Sequence, residues 1–326
     1  MPDKQAFRET HDTWSGLAFA APWIVGFLAF FVWPFAASVY WSFCDFDMVN
    51  PPEWVGTKNY QRLFQDFRSQ DAFGLAVANT IYYVAFSVPL SIVAGVVTAS
   101  LLSRQRRGVG ILRTVVYLPS VLPVVAVSIL WVWLLDPSSG WVNEVLNLFG
   151  LPSQNWLNQS RSLFSLETIS YVQNTPMAEW SLAGSKDGLI LLTLWGIGNY
   201  MVIYLAAMSD IPHALYEAIE LDGAGRFRKF WNVTLPMLSP VLFFHLVIGF
   251  IKGVQTFASV YILSEGTGAP GGSLTTISLQ MFLSAFNDLD VGYASAMAWI
   301  LLLFMAVITF LLFRTSKQWV HYRMSA

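Results

Sequence analysis

Two groups of residues in this chain have types and spacing that could do chemistry. The first is a set of polar and aromatic side chains embedded in long apolar runs: Trp195, Asn199 and Tyr200 in one, His245, Lys252, Gln255, Thr256, Phe257 and Tyr261 in another. Polar groups in such runs are costly and so mark candidate sites. An amide such as Asn199 or Gln255 can hydrogen-bond a polar ligand, an aromatic ring can stack on one, and Lys252 invites an anionic group. Each type also has an ordinary structural use. Asn, Gln and His join helices through hydrogen bonds worth about 1 kcal/mol, aromatics populate interfacial belts, and a lysine can snorkel out of the apolar layer. The second group is the charged segment Glu217–Pro236, where Glu217, Glu220 and Asp222 are followed by Arg226, Arg228 and Lys229 around Gly223 and Gly225.

Other chemistry is missing from the sequence. There are only 4 His, with no metal-spaced His/Glu cluster and no nucleophile–base pair. No G-x-x-x-x-G-K-[ST] phosphate loop is present. The 1 cysteine, Cys44, excludes a disulfide framework within the chain.

The elements that must position the first group are set by composition. Of 326 residues, 55% are hydrophobic and 12% charged, with mean hydropathy +0.53. Ordinary soluble chains carry about a quarter charged residues, so a soluble enzyme or a disordered chain is excluded. Net charge is −2, which provides no field for nucleic acid. The chain is expected to be an integral membrane protein.

A crossing helix needs about 20 apolar residues. Six charge-free windows qualify: Thr13–Cys44, Ala72–Ser103, Thr114–Leu135, Gly188–Ser209, Phe230–Ile251 and Val291–Phe313, the fifth continuing past Lys252 to about Ser264. They predict an all-α, single-domain membrane protein over 1–326 with six transmembrane helices near 14–43, 74–102, 112–135, 188–209, 233–263 and 291–314. Strands of a β-barrel would be about 10 residues of alternating polarity, which these are not. The first window is far longer than a signal-peptide core and is read as a retained helix.

Basic residues resist translocation and set orientation. Arg104, Arg106, Arg107 and Arg113, then Arg226, Arg228 and Lys229, then Arg314, Lys317 and Arg323, with Lys4 and Arg8, fall on one side. That side is expected to be cytoplasmic and to hold both termini. The opposite side carries Lys58, Arg62, Arg68, Arg161 and Lys186. There, Asp45–Asp71 reads as a short ordered loop and 136–187 as the longest outer loop, with a periodic stretch at Val142–Phe149. Glu265–Asp290 starts Gly/Pro-rich and ends in an apolar half-helix, Ile277–Phe286, able to dip into the outer leaflet. Pro89, Pro119 and Pro123 are candidate break points in the second and third helices.

In the segment Glu217–Pro236, Pro212 pre-sets a helix start, Tyr216–Leu221 holds good helix formers, and Gly223 and Gly225 allow a sharp turn. A second short helix is expected over Arg226–Trp231, making a cytoplasmic hairpin over 212–232. From the residues alone, an interfacial amphipathic hairpin with its arginines on lipid headgroups fits equally.

The spacing of Glu217, Ala218, Gly223, Leu235 and Pro236 resembles the Glu-Ala-Ala signature of bacterial ABC importer permeases, with Ile219 and Val233 as mild departures. The resemblance extends over nearly the whole chain and narrows to the sugar-uptake branch, of maltose and glycerol-phosphate type. It is carried by Pro34, by Ser42–Asp45, by Trp54–Tyr60, by Asn79-Thr80, by Tyr261–Ser264 and by Thr275-Thr276. The stretch Glu167–Ser185 looks longer than the usual loop of the family.

The resemblance implies a type I ABC importer permease fold in the bacterial plasma (inner) membrane, similar to the first of two permease subunits. It implies four kinds of contact: a second homologous permease, an ABC ATPase dimer, an extracytoplasmic solute-binding protein and membrane lipid, with no nucleic acid. ATP and Mg would belong to the ATPase, so this chain would bind no cofactor and no metal and would not be catalytic. Glu217, Ala218, Asp222, Gly223 and Arg226 would couple to the ATPase. Asn199, Gln255, Tyr200, Trp195, Lys252 and Phe257 would face a sugar, oligosaccharide or sugar-like polyol. Two other classes compete. An ion-coupled secondary transporter would want intramembrane carboxylates, which the six windows lack; a membrane-embedded enzyme would want a catalytic cluster. Both leave the 217–236 pattern unexplained.

Overall fold

A long uncharged run placed in lipid has no water to bond its amides and carbonyls, so it satisfies them within a helix. The computed structural model describes residues 16, 18–103, 107–163, 165, 171 and 182–321. Lys4, Arg8, Arg104, Arg106, Arg323 and most of the stretch from Glu167 lie outside the described residues.

In chain order the elements are α1 (Ala18–Ser42), β1 (Cys44–Asp45), β2 (Glu53–Trp54), α2 (Lys58–Ser69), α3 (Ala72–Leu102), α4 (Val109–Val121) and α5 (Val124–Leu134). There follow α6 (Trp141–Leu148), α7 (Ser185–Trp195), α8 (Gly198–Ser209), α9 (His213–Leu221), α10 (Arg226–Val254), α11 (Ala258–Leu263), α12 (277–287) and α13 (Val291–Ser316). Four helices are long and apolar enough to cross a membrane: α1, α3, α10 and α13. Two bent pairs meet the same test jointly, α4 with α5 at 104° and α7 with α8 at 45°.

The third helix is thus broken where Pro119 and Pro123 offered a break, and the fourth, for which no break was expected, is bent as well. In the third, Leu122 is extended (φ −71, ψ 145) ahead of Pro123, whose ring cannot supply an amide to continue the helix. Pro89 by contrast sits within a continuous α3. Two further expectations change. The basic-aromatic stretch Arg226–Trp231 is not a separate short helix but the first turns of α10, joined through a π-helical segment, Phe230–Thr234, to Leu235–Val254. The fifth helix ends at Val254 rather than running to 263, and α11 follows after a break at 255–257.

The described chain forms two compact units. One comprises the residues up to Phe64 with Met281–Ile300. In it, Trp23, Phe27, Phe31 and Phe35 form a ladder of stacked rings along α1, spaced four residues apart. Cys44 pairs with Trp54 in the β1–β2 hairpin. The segment expected as a loop, 45–71, thus contains this hairpin and the amphipathic α2. Asn59 ties them together by donating to the carbonyls of Ser42 (3.1 Å) and Cys44 (2.8 Å). Arg62 pairs with Asp290 at 2.6 Å and covers the Tyr293 ring at 4.1 Å.

The other unit comprises Gln65–Gln280 and the chain from Leu301. Its mast is α3, packed by α7, α8 and α10. Val96, Ala99, Leu102, Met201 and Tyr204 form a buried core cluster there. Gly198 sets the approach of α8 to α4, because a Cβ at that position would meet the Tyr117 backbone at 2.6 Å. Arg113 caps α3 by donating to the Leu102 carbonyl at 2.7 Å, a cation placed at the negative end of the helix dipole. At the opposite end of α3, Asn79 donates to the carbonyls of Gly272 (2.8 Å) and Thr275 (3.0 Å), holding the Gly/Pro-rich loop. The segment after α5 is pinned by Asn143, whose side chain bonds both Gln154 (3.0 Å) and the Trp156 indole (3.0 Å).

Candidate functional site

Where helices break at membrane depth, freed backbone groups need either protein or a wet cavity beside them. The elbow between α7 and α8 at Gly196-Ile197 and Tyr117 of α4 both line one cavity of about 540 Å³. Its remaining wall comes from α3 (Tyr83, Ser87, Val88, Ser91), α8 (Asn199, Tyr200) and α10 (Phe244, His245, Gly249, Lys252, Gly253). A volume of this order lies in the usual range for small-ligand pockets.

The back wall is fixed by one side chain. His245 is 1% exposed. Its Nε2 meets Ser91 Oγ at 3.2 Å, its Nδ1 is hydrogen-bonded with the Tyr204 hydroxyl, and the Tyr200 ring stacks flat on it. Both ring nitrogens are thus engaged within the chain, which makes His245 a junction of α3, α8 and α10. Nearby, Tyr83 and Thr193 share a hydroxyl–hydroxyl bond of 2.7 Å, joining α3 to α7. Glycines let the helices close in: a Cβ at Gly249 or Gly253 would meet Val88 at 3.2 Å or Val84 at 3.0 Å respectively.

The residues singled out from the sequence divide here. Asn199, Tyr200 and Lys252 line the cavity; Asn199 and Lys252 are exposed to it or to solvent, Tyr200 is half-buried. Trp195, Gln255 and Phe257 do not line it. Trp195 packs edge-on against Trp131, their ring centres 6.0 Å apart. Gln255 forms the exposed C-cap of α10, and Phe257 packs on Tyr261 beyond the break. The sequence reading missed Ser87, Tyr117, Thr193 and Phe244. Pro119 and Pro123 marked the break in the third helix, whereas the sequence reading did not mark the elbow at Gly196-Ile197 that lines the cavity.

The 217–236 segment forms the second site. Helix α9 runs to Leu221, Gly223 turns the chain at φ 74°, and α10 begins at Arg226. Left-handed backbone at that point suits glycine and penalises other residues by about 1–2 kcal/mol. Glu217, Ala218, Asp222, Gly223 and Arg226 are all exposed. So are the apolar Leu221, at 90%, and Phe227, at 77%. What the hairpin does bond internally holds its shape: Glu220 pairs with Lys229, and the Tyr216 hydroxyl meets Thr234 Oγ1 at 3.0 Å. No group of three or more His, Cys, Asp or Glu that could hold a metal ion occurs among the described residues.

Comparison with known proteins gives this arrangement a context. A family model described as the binding-protein-dependent transport system inner membrane component matches residues 87–321. The probable ABC transporter permease protein YesP of Bacillus subtilis (strain 168) is 36% identical over 312 residues, covering 95% of this chain and 93% of that protein. The lactose transport system permease protein LacF of Rhizobium radiobacter is 30% identical over 307 residues, covering 93% and 94%. Among solved structures, a chain of a bacterial alginate ABC transporter, crystallised with an alginate pentasaccharide-bound periplasmic protein, has the same fold. It matches with a TM-score of 0.74 at 24% identity, covering 96% of this chain and 97% of that one.

Proposed function

Because the chain belongs to the family of binding-protein-dependent transport system inner membrane components, a family of transport permeases rather than enzymes, we propose that it is the sugar-conducting permease subunit of an ATP-driven importer. In this reading the four long helices and two broken pairs make six crossings with both termini cytoplasmic, one permease domain over 1–326. A soluble outer protein delivers a sugar, oligosaccharide or sugar-like polyol, and the cavity walled by α3, α8 and α10 receives it. Asn199 hydrogen-bonds sugar hydroxyls, and Tyr200 and Phe244 present aromatic faces. The lactose permease relative supports the substrate class. Of the remaining sequence candidates, Trp195 acts through its packing on Trp131, while Gln255 and Phe257 belong to the irregular segment beyond α10.

The observation that carries the reading is the continuity of α10. Its 29 residues, Arg226–Val254, span about 43 Å at 1.5 Å per residue. One end emerges from the exposed Gly223 turn, and the other carries His245 and Lys252 in the cavity wall. A shift imposed on the hairpin by an ATPase subunit would be passed along one helix to the substrate space. Glu217, Ala218, Asp222, Gly223 and Arg226 form the surface that docks on that ATPase. ATP and Mg stay on the ATPase, which works as a dimer, and a second homologous permease completes the path.

A mild-detergent pull-down of the tagged chain from native membranes, read by mass spectrometry, tests this. The expected result is an ATPase with phosphate-loop motifs together with a second permease. A Gly223→Pro variant should lose the ATPase and keep the permease. Recovery of the chain alone, or only as a homo-oligomer, would overturn the proposal.

A further inference from the structure

The cavity wall carries a single formal charge. Of its lining residues, Lys252 is the only Lys, Arg, Asp or Glu. None of the ion pairs Lys58–Asp45, Arg62–Asp290 and Lys229–Glu220 includes Lys252, which has no carboxylate partner among the described residues. An ammonium without an acid is expensive near hydrocarbon, and such groups mark ligand paths when they face a cavity. Two features of α10 keep it tolerable and aimed. It lies in the last turn of the helix, where the unsatisfied carbonyls favour a cation. It is also seven residues, two turns, beyond His245, which puts both on the cavity face. His245 cannot take the role of an acid for it, since its two nitrogens are held by Ser91 and Tyr204. Lys252 therefore shares the cavity lining with Asn199, Ser87, Thr193 and aromatic rings, neutral groups among which there is no Asp or Glu.

We propose that this cavity selects an acidic saccharide, one bearing a carboxylate, phosphate or sulfonate, and that Lys252 is the residue that pairs with the anionic group. The inference rests on the sugar-permease reading and sharpens it. A neutral sugar would leave the ammonium without an ionic partner, whereas an anionic one supplies that partner at the moment of entry. Discrimination then comes from the cost of an unmatched charge as much as from attraction. Because lysine acts as a point charge without the bidentate geometry of arginine, carboxylate and phosphate are both accommodated.

The test uses the complete transporter, with its partner permease, ATPase and binding protein, reconstituted in liposomes. Uptake is measured for radiolabelled digalacturonate, glucose 6-phosphate and neutral galactobiose. Wild type should carry at least one of the two acidic probes in preference to galactobiose, and which one identifies the anionic group. Lys252→Gln should lower the acidic-to-neutral uptake ratio by about tenfold, and Lys252→Arg should restore most of it. Co-elution with the partner subunits checks that the variants assemble. Equal carriage of galactobiose by wild type and Lys252→Gln, without acidic uptake, overturns the charge inference and leaves the sugar permease standing. Loss of acidic and neutral uptake in equal measure overturns it too, since Lys252 would then serve the transport cycle and not selection. If the Lys252→Gln effect vanishes in liposomes without anionic lipid, the partner of the ammonium is a headgroup and the inference fails. Uptake of none of the three by an assembled, ATP-hydrolysing complex overturns the charge inference, because wild type then carries neither acidic probe.

Discussion

The turn at Gly223 and the wall at His245 lie toward opposite ends of the same helix, yet they are built on opposite terms. Around His245 the polar atoms are engaged with neighbours on α3 and α8, and the side chain is almost wholly buried. Around Gly223 the charged and apolar side chains stand in the open, and a Cβ at Gly223 itself would meet nothing within 4 Å. The first set is required by the fold of this chain. The second set makes few such contacts, and on the proposed function its residue types answer to the ATPase. A residue can be essential to assembly while contributing almost nothing to stability, and the reverse holds at the wall.

That contrast can be broken most directly at the wall. His245→Ala leaves Ser91 and Tyr204 without their buried partner and opens a void under Tyr200. A destabilisation of about 3 kcal/mol or more is expected from the lost hydrogen bonds and the cavity together. Thermal unfolding of the purified chain in detergent would show it as a clear drop in midpoint, and an unchanged midpoint would refute the junction. Next in size is Gly223→Val, which forces a β-branched residue into left-handed backbone at a cost of about 1–2 kcal/mol. The strain is local, so faster amide exchange should be confined to about 220–226, accompanied by loss of the ATPase from the purified complex. Tyr216→Phe removes one half-buried hydroxyl bond to Thr234, worth about 1 kcal/mol. It should loosen α9 in hydrogen exchange without moving the exchange of α3. Glu217→Ala sharpens the comparison from the other side: stability should stay within about 0.5 kcal/mol of wild type, while ATPase recovered per permease falls. A stability loss comparable to that at His245 would erase the distinction.

The smallest effect belongs to the turn between α5 and α6. Asp136 accepts bonds from the amides and hydroxyls of Ser138 and Ser139, which lower its pKa from the ordinary 3.8 to about 2. A carboxyl whose folded-state pKa is depressed stabilises its turn above its unfolded value and loses that contribution as pH falls through the folded one. Amide exchange at Ser138 and Ser139, corrected for intrinsic rate, should therefore rise between about pH 3.8 and pH 2 and stay level above. Asp136→Asn should abolish that pH dependence.

How much of this was legible in the sequence differs between the two regions for the same physical reason. A hairpin made of local signals, Pro212 before α9 and glycines at the turn, can be read from neighbours in the chain. The long apolar runs behind α1, α3, α10 and α13 are equally local. The extent of α10 was not, because Leu235-Pro236 looks like a start, whereas Pro236 falls within a helix already under way from Arg226. Helix α2 was hidden by Pro51 and Pro52 just before it, which drew the whole segment toward a loop. The cavity depends on partners far apart in sequence: His245 reaches 41 residues to Tyr204 and 154 to Ser91. Nothing in the run around His245 distinguishes such a junction from a ligand-binding histidine. Gln255 was placed in the path by assuming an unbroken helix to 263, and the break after Val254 turns it into an exposed cap.

Cys44 has a practical bearing on all of these experiments. It is the only thiol in the chain, is 0% exposed, and donates to the Tyr40 carbonyl at 3.3 Å. The native protein should consequently be silent toward bulky maleimides while folded. A cysteine introduced at Asp222 would then be the sole attachment point for a dye or spin label, with no need to strip natural thiols first. The motion of the hairpin could be followed optically in an otherwise unaltered molecule.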